Sequence, residues 1–304
     1  MYKKLIISIL IVLPFLSVKA QLKEFPCTDE WIRKIEKLAP EKATVQPKEQ
    51  HKVLVFSLFT GFDHWVIPHT NAVMKILGEK TGAFQVEVST DIYKFEKKNL
   101  KDYDAVVLNN NCSIGPRRDL FLDVLDQDKN LTDEQRKEKA AELETNLINY
   151  VKKGGGLMVI HGAIVMQNNS MAFSEMVGGS FDYHYTQQKV ALELCEPDHP
   201  LVKTFGGKSF VHVDEPYLFN KAYTQKKFRP LLYMDTSKLI RNKESDEKIK
   251  YVSWIKRYGK GKVFYVSPSH NAQSFEDARL LKFYLDGAQY VLGDLKCDDS
   301  PINQ

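Results

Sequence analysis

An α/β fold around a mostly parallel sheet is what this sequence predicts, and three observations carry it. Apolar strand-like runs and helical patterns alternate between residues 53 and 160, as βαβ units do. A helical pattern ends at three glycines, Gly154 to Gly156, directly ahead of an apolar run that stops at His161. Beyond it come shorter strands and a hairpin signal, so antiparallel strands are expected to extend the sheet in the second half.

At the start of the chain, Lys3 and Lys4 precede an apolar stretch from Leu5 to Val18, and Val18-Lys19-Ala20 ends in a small residue. This is the layout of a secretory leader cut after Ala20, with an apolar core too short to span a bilayer. The mature chain is therefore expected in the periplasm or secreted. No later apolar run is long enough for a span, so no membrane insertion of the mature chain is expected. The domain reading is a leader at 1–20, an N-terminal extension at 21–50, one domain at 51–294 and a tail at 295–304.

The extension is polar and irregular, with a short helix predicted over Asp29 to Leu38. Val53 to Phe56 reads as a compact strand, and Ser57 to Ile67 as a loop carrying Gly61 and His64. Pro68 suits the first turn of a helix running to about Leu77. Phe84 to Val88 alternates like a strand, and Ala105 to Leu108 is a buried one that ends in the polar run Asn109 to Ser113. Thr132 and Gln135 form a capping box for the next helix. Its apolar stripe is Leu143, Leu147, Tyr150 and Val151, and Gly154 ends it. Leu157 to Ile160 is the strand before His161.

Farther along, Val190 to Leu194, Ser209 to Val213 and Leu231 to Met234 read as short strands. Tyr251 to Ile255 and Lys262 to Val266 flank Gly259-Lys260-Gly261 as a hairpin. Ser274 is expected to cap a final helix to Leu292, closed by Gly293.

The formal charge is +4, and the leader lysines Lys3, Lys4 and Lys19 account for three of these, leaving about +1. With no dense basic block, nucleic acid is not an expected partner. The glycines at 154–156 precede a strand, whereas phosphate loops precede helices, so no nucleotide is expected. Four cysteines are too few for a disulfide scaffold, although Cys27 and Cys297 could tie the termini.

In open α/β sheets ligands bind beyond the carboxyl ends of the strands. That makes His161 a site candidate, and several of the other seven histidines also fall after apolar runs or in loops. His64, His161, His184 and His270, with Asp214 and Glu215, offer imidazoles and carboxylates from separate loops. Such a set suits one divalent metal or acid/base chemistry near neutral pH. Each has a plainer reading. His64 could cap the helix at Pro68, His161 could only tie a loop, His184 sits between Tyr183 and Tyr185 that could simply pack, and Asp214-Glu215 could be an exposed turn. His51, His69 and His199 read as structural, and His212 alternates with Val211 and Val213 and could face a core or a cleft. Trp65 reads as a sugar contact and Trp254 as core.

In order, the chain carries Thr60-Gly61-Phe62-Asp63-His64, His161-Gly162-Ala163, Val177-Gly178-Gly179 with His184, Asp198-His199-Pro200, Asp214-Glu215-Pro216-Tyr217, Tyr258-Gly259-Lys260-Gly261 and Ser269-His270-Asn271. This series resembles the ThuA-like family, named for trehalose utilisation, over roughly residues 52 to 294. The resemblance implies a flavodoxin-like three-layer sandwich related to class I glutamine amidotransferases. Those enzymes place a nucleophilic Cys after a central strand, where this chain has His161, so amidotransfer is not expected; Cys112 is the only thiol considered near the pocket.

The resemblance further implies a carbohydrate substrate, in a setting where 3-keto sugars are made. The expectation is an exported enzyme cleaving 3-keto-glycosides or disaccharides by elimination or hydrolysis. His161, Glu215 and His270 would be catalytic, and His64, Trp65, His184 and Asp214 would bind substrate. His64, His161, His184 and His270 are the candidate ligands of a Zn or Mn ion. The alternative from another class is a non-catalytic sugar-binding or assembly module of a glycan-processing system.

Overall fold

The computed structural model describes residues 22–241 and 247–302. The expected leader, residues 1–20, lies outside the described residues. In the extension, α1 (Asp29–Leu38) forms as read, capped by the Thr28 hydroxyl and anchored by buried Trp31 and Ile35.

Three strand–helix steps and a fourth strand follow. They are β1 (His51–Phe56), α2 (Ile67–Thr81), β2 (Phe84–Ser89), the single-turn α3 (Lys97–Leu100), β3 (Ala105–Asn109), α4 (Leu120–Leu125), α5 (Asp133–Lys153) and β4 (Gly156–Ile160). Strands β3 and β4 are buried at every position, the signature of parallel strands covered on both faces. The capping box of α5 is present, with the Gln135 amide donating to Thr132 and the Thr132 amide to Gln135. Its buried stripe is Ala140, Leu143, Leu147 and Val151, which seats the helix on the sheet.

The second half holds α6 (Met171–Val177), β5 (Ser180–His184), β6 (Gln188–Leu194), β7 (Phe210–Asp214), β8 (Tyr217–Asn220), β9 (Arg229–Asp235), β10 (Ile249–Tyr258), β11 (Gly261–Val266) and α7 (Ala278–Leu292). A nine-stranded sheet runs β2-β1-β3-β4-β11-β10-β9-β6-β7. Its first five strands are parallel and the remaining pairings antiparallel. Helices α1, α2 and α7 pack together on one face, and α3, α4 and α6 pack on α5 on the other. The expected three-layer α/β sandwich with antiparallel additions is therefore the observed one.

Differences from the expected elements have local causes. Strands β5 and β8 pair with each other in a separate two-stranded sheet, and no apolar alternation announces them. The final helix is capped by Asp277, whose carboxylate accepts from the Arg279 amide, and not by Ser274. Ser274 lies one turn earlier, where its hydroxyl meets His212. All four cysteines are free thiols, so Cys27 and Cys297 do not join the termini. Among the described residues, no helix is long and apolar enough to cross a membrane.

Candidate functional site

The carboxyl ends of β1, β3, β4 and β11 converge at one edge of the sheet, and each delivers part of the site. After β1, the amides of Thr60 and Gly61 both donate to the Cys112 carbonyl at 2.9 Å. A side chain at Gly61 would press to 2.4 Å from the Ser113 carbonyl, so this close approach requires glycine. The loop so fastened presents His64, which is buried.

After β3, the buried run Asn109-Asn110-Asn111 stitches neighbouring loops together. Asn109 donates to Ser57, Asn71 and the Ile67 carbonyl; Asn111 donates to the carbonyls of Phe56 and Leu58. The Asn110 side-chain oxygen lies 3.3 Å from the Gly162 amide. The sequence marked this run only as polar. Its cue was three amides directly after an apolar strand, a place where a buried backbone must find partners.

After β4, His161 takes a positive φ of 46°, a conformation that costs energy in a non-glycine residue and concentrates at functional sites. Its Nδ1 lies 2.8 Å from the Ser267 carbonyl. A carbonyl accepts only, so Nδ1 carries the proton and Nε2 faces the site as a lone pair or a second N–H.

After β11, Ser269 also has a positive φ, 126°. Its amide donates to Asp214 Oδ2 at 2.9 Å, and the His270 amide approaches the same oxygen at 3.4 Å. Ser269 is further held through its hydroxyl, 2.6 Å from the Tyr284 hydroxyl.

The fifth contribution comes from the corner at Asp214-Glu215-Pro216, where the chain leaves the large sheet at β7 and enters the small one at β8. That corner turns Glu215 inward. Its Oε2 lies 3.2 Å from His270 Nδ1 and 3.7 Å from His161 Nε2. Donor atoms of His64, His161, Glu215 and His270 all lie within 4.8 Å of one another.

Burial and neighbouring imidazoles hold His64 well below the ordinary histidine range. Burial likewise lowers His270, helped by His161 and opposed by Glu215. His161 is pushed down by burial, but Glu215, Asp214 and the Ser267 carbonyl outweigh this and hold it above its usual value. Glu215 is pushed up by burial and pulled down more by the surrounding histidines, so it stays ionised.

The donors suit a divalent ion. His64 Nδ1 is buried without a well-aligned hydrogen bond, although the Phe62 backbone is near enough to favour its protonated form. Three imidazoles and one carboxylate, with His161 oriented from behind by a carbonyl, match a transition-metal donor set.

Not every expected site residue joins this group. His184, expected among the metal ligands, lies outside the four-donor cluster. Its Nδ1 is 3.7 Å from Glu215 Oε1 and 3.1 Å from the Tyr185 carbonyl, and its side chain is 41 % exposed. A register shift between Phe181 and Tyr183 in the β5–β8 pairing carries it to the rim. Asp214, expected to touch substrate, is buried and committed to the backbone of Glu215, Ser269 and His270 and to His212 at 3.2 Å. It positions the cluster from beneath.

Above the cluster a cavity of 410 Å³ opens, walled by Phe62, Trp65, Tyr183, His184, Gln187 and Asn271, with Glu215 and His270 at its floor. The volume is in the small-molecule range. Phe62 is 59 % exposed, with its ring 4.7 Å from that of His64; the sequence had not singled it out. Trp65 lines the cavity and packs edge-on against Phe25 and His69. Trp254 is fully buried. Cys112 lies under Gly162, its thiol pushed up to about 12 by burial.

The sequence model of the ThuA family, described as trehalose utilisation, matches residues 52–291. No curated protein matches the chain. A ThuA-like protein from Bacteroides uniformis superposes with a TM-score of 0.59 at 19% identity, covering 81% of this chain and 93% of that one. A ThuA-like protein from Parabacteroides merdae gives 0.56 at 17%, covering 84% and 93%. At such identities the two structures establish a shared fold.

Proposed function

This chain belongs to the ThuA family, and from that premise we propose that it is an exported carbohydrate-active enzyme that cleaves 3-keto-glycosides by elimination. One observation carries the reading: three histidines and a glutamate from four separate loops meet in one cluster, and two of them, Glu215 and His270, form the floor of an aromatic-walled cavity.

A ketone at C3 acidifies the C2–H bond. Removal of that proton leaves the bonding pair to form the C1=C2 double bond, while the C1–O bond breaks and its pair departs with the alcohol oxygen, which takes up a proton. The products are an unsaturated 3-keto sugar and a free alcohol. His184 is the side chain for the proton transfer. The Tyr185 carbonyl accepts from Nδ1 at 3.1 Å, which leaves Nε2 as the basic nitrogen at the cavity wall. Glu215 lies 3.7 Å from the same ring. His64, His161, His270 and Glu215 would hold a divalent Zn or Mn ion, which would supply Lewis acidity toward the ketone. Phe62, Trp65 and Tyr183 offer faces on which a sugar ring can stack, and Gln187 and Asn271 offer hydrogen bonds to hydroxyls.

The aromatic walls would also serve a sugar-binding module without catalysis. A 3-keto-glycoside with a chromogenic C1 substituent separates the two. An enzyme releases the chromophore and loses at least about a hundredfold in kcat in His184→Gln with binding retained. A binder holds the same compound and releases nothing. Export through residues 1–20 is checked by sequencing the amino terminus of the protein recovered from outside the cytoplasm.

A further inference from the structure

The N-terminal segment lies outside the span that matches the family model, which begins at residue 52, yet it forms part of the cavity. Leu22 and Glu24 are the residues of the extension that line it. The segment is fastened on both sides of Glu24. The Leu22 amide donates to Gln187 Oε1 at 3.1 Å, and Gln273 Nε2 donates to the Lys23 carbonyl at 2.9 Å. On the other side Phe25 is wedged among Trp31, Trp65 and His69, at ring separations of 6.4, 5.3 and 5.1 Å. Glu24 is thus held at the cavity wall by its neighbours, and no cation pairs with it among the described residues.

The charges of the lining are one-sided. Glu24 and Glu215 are its acidic members, and it contains no lysine or arginine. Glu215 is compensated at the floor by the imidazoles around it. Glu24 at the wall is not. A carboxylate or phosphate on a sugar entering along this wall would meet the uncompensated charge, with no lysine or arginine in the lining to offset it.

We propose that residues 22–25 are a specificity wall of the site, and that Glu24 selects uncharged sugars against acidic ones. The inference rests on the reading of the cavity as a sugar site. Glu24 acts through charge and hydrogen bonding to hydroxyls, so it is a specificity residue and has no part in bond breaking.

The test measures calorimetric affinities for a matched pair, a neutral glucoside and the corresponding glucuronide, in wild type, Glu24→Gln and Glu24→Lys. The expected result is a preference for the glucoside that narrows about threefold in Glu24→Gln and about tenfold in Glu24→Lys, and that shrinks in the wild type with added salt. Glu24 is exposed, so both variants are expected to melt with the wild type. An unchanged preference in both variants, with glucoside binding intact, overturns the wall and leaves the sugar site standing. A wild type that binds neither sugar overturns both.

Discussion

His161 Nε2 and His270 Nδ1 face one another at 3.3 Å although 109 residues separate them in the chain. Their strands β4 and β11 are neighbours with Ile160 opposite Val266, so the two imidazoles leave the sheet side by side. Glu215 reaches the same point from the corner between the two sheets.

Asp214 is the group that aims two of these side chains, since its oxygens accept from the amides of Glu215, Ser269 and His270. Asp214→Asn substitutes a donor for one acceptor in a buried pocket. Metal affinity should fall about tenfold or more, and stability by roughly 1–3 kcal/mol. Unchanged metal uptake would show that Asp214 does not position the cluster; competition with a colorimetric chelator measures it.

Gly162 is where His64 has no room to give. A Cβ there would sit 2.5 Å from His64 Cε1 and 3.1 Å from Cys112 Sγ. Gly162→Ala should therefore displace His64 and weaken metal binding by about tenfold, at a stability cost of roughly 1–3 kcal/mol. Chelator competition and thermal melting read the two effects separately.

Cys112 should be dispensable for chemistry. Its thiol is buried and raised to about 12, so it is not a thiolate at neutral pH. Cys112→Ser is expected to keep turnover within about threefold of the wild type. A loss of a hundredfold, with the fold intact by circular dichroism, would point to thiol chemistry.

Lys256 gives a pH dependence independent of the site. Burial lowers it from 10.5 to about 8, and its amine donates to the Glu175 carbonyl. Between these two values the unfolded chain binds the proton that the folded protein has released, so folding gains stability as pH rises through that window. Below pH 8 the cost of the buried charge is fully present. Relative to Lys256→Met, the wild type should gain on the order of 2 kcal/mol from pH 7 to 10, as followed by urea unfolding. A pH-independent difference would mean that burial does not lower Lys256, and that the folded and unfolded chains hold its proton equally.

Much of this was legible in the sequence for a simple reason. Parallel strands announce themselves as apolar runs, and His64, His161 and His270 each follow one, so strand ends located three of the four donors. Glu215 was visible beside Asp214 but not its aim, which depends on a corner whose flanking strand β8 lies in the small sheet with β5. Asp214 looked like a substrate contact because nothing local reveals that the amides it serves lie 55 and 56 residues away. Ser274 and Asp277 are both good helix caps by residue type; His212, packed from β7, takes the Ser274 hydroxyl. The N-terminal wall was invisible because Gln187 and Gln273, which hold it, lie 165 and 250 residues away.

The most direct test of the site is elemental analysis of the purified chain after incubation with zinc and with manganese, alongside His161→Asn and His270→Ala. Asparagine is used at 161 because it tolerates the positive φ that alanine resists. About one equivalent of metal is expected in the wild type and at least a hundredfold weaker binding in both variants, with unchanged circular dichroism. A wild type that takes up no metal, or variants that bind it equally well, would contradict the assignment of His64, His161, Glu215 and His270 as a metal centre.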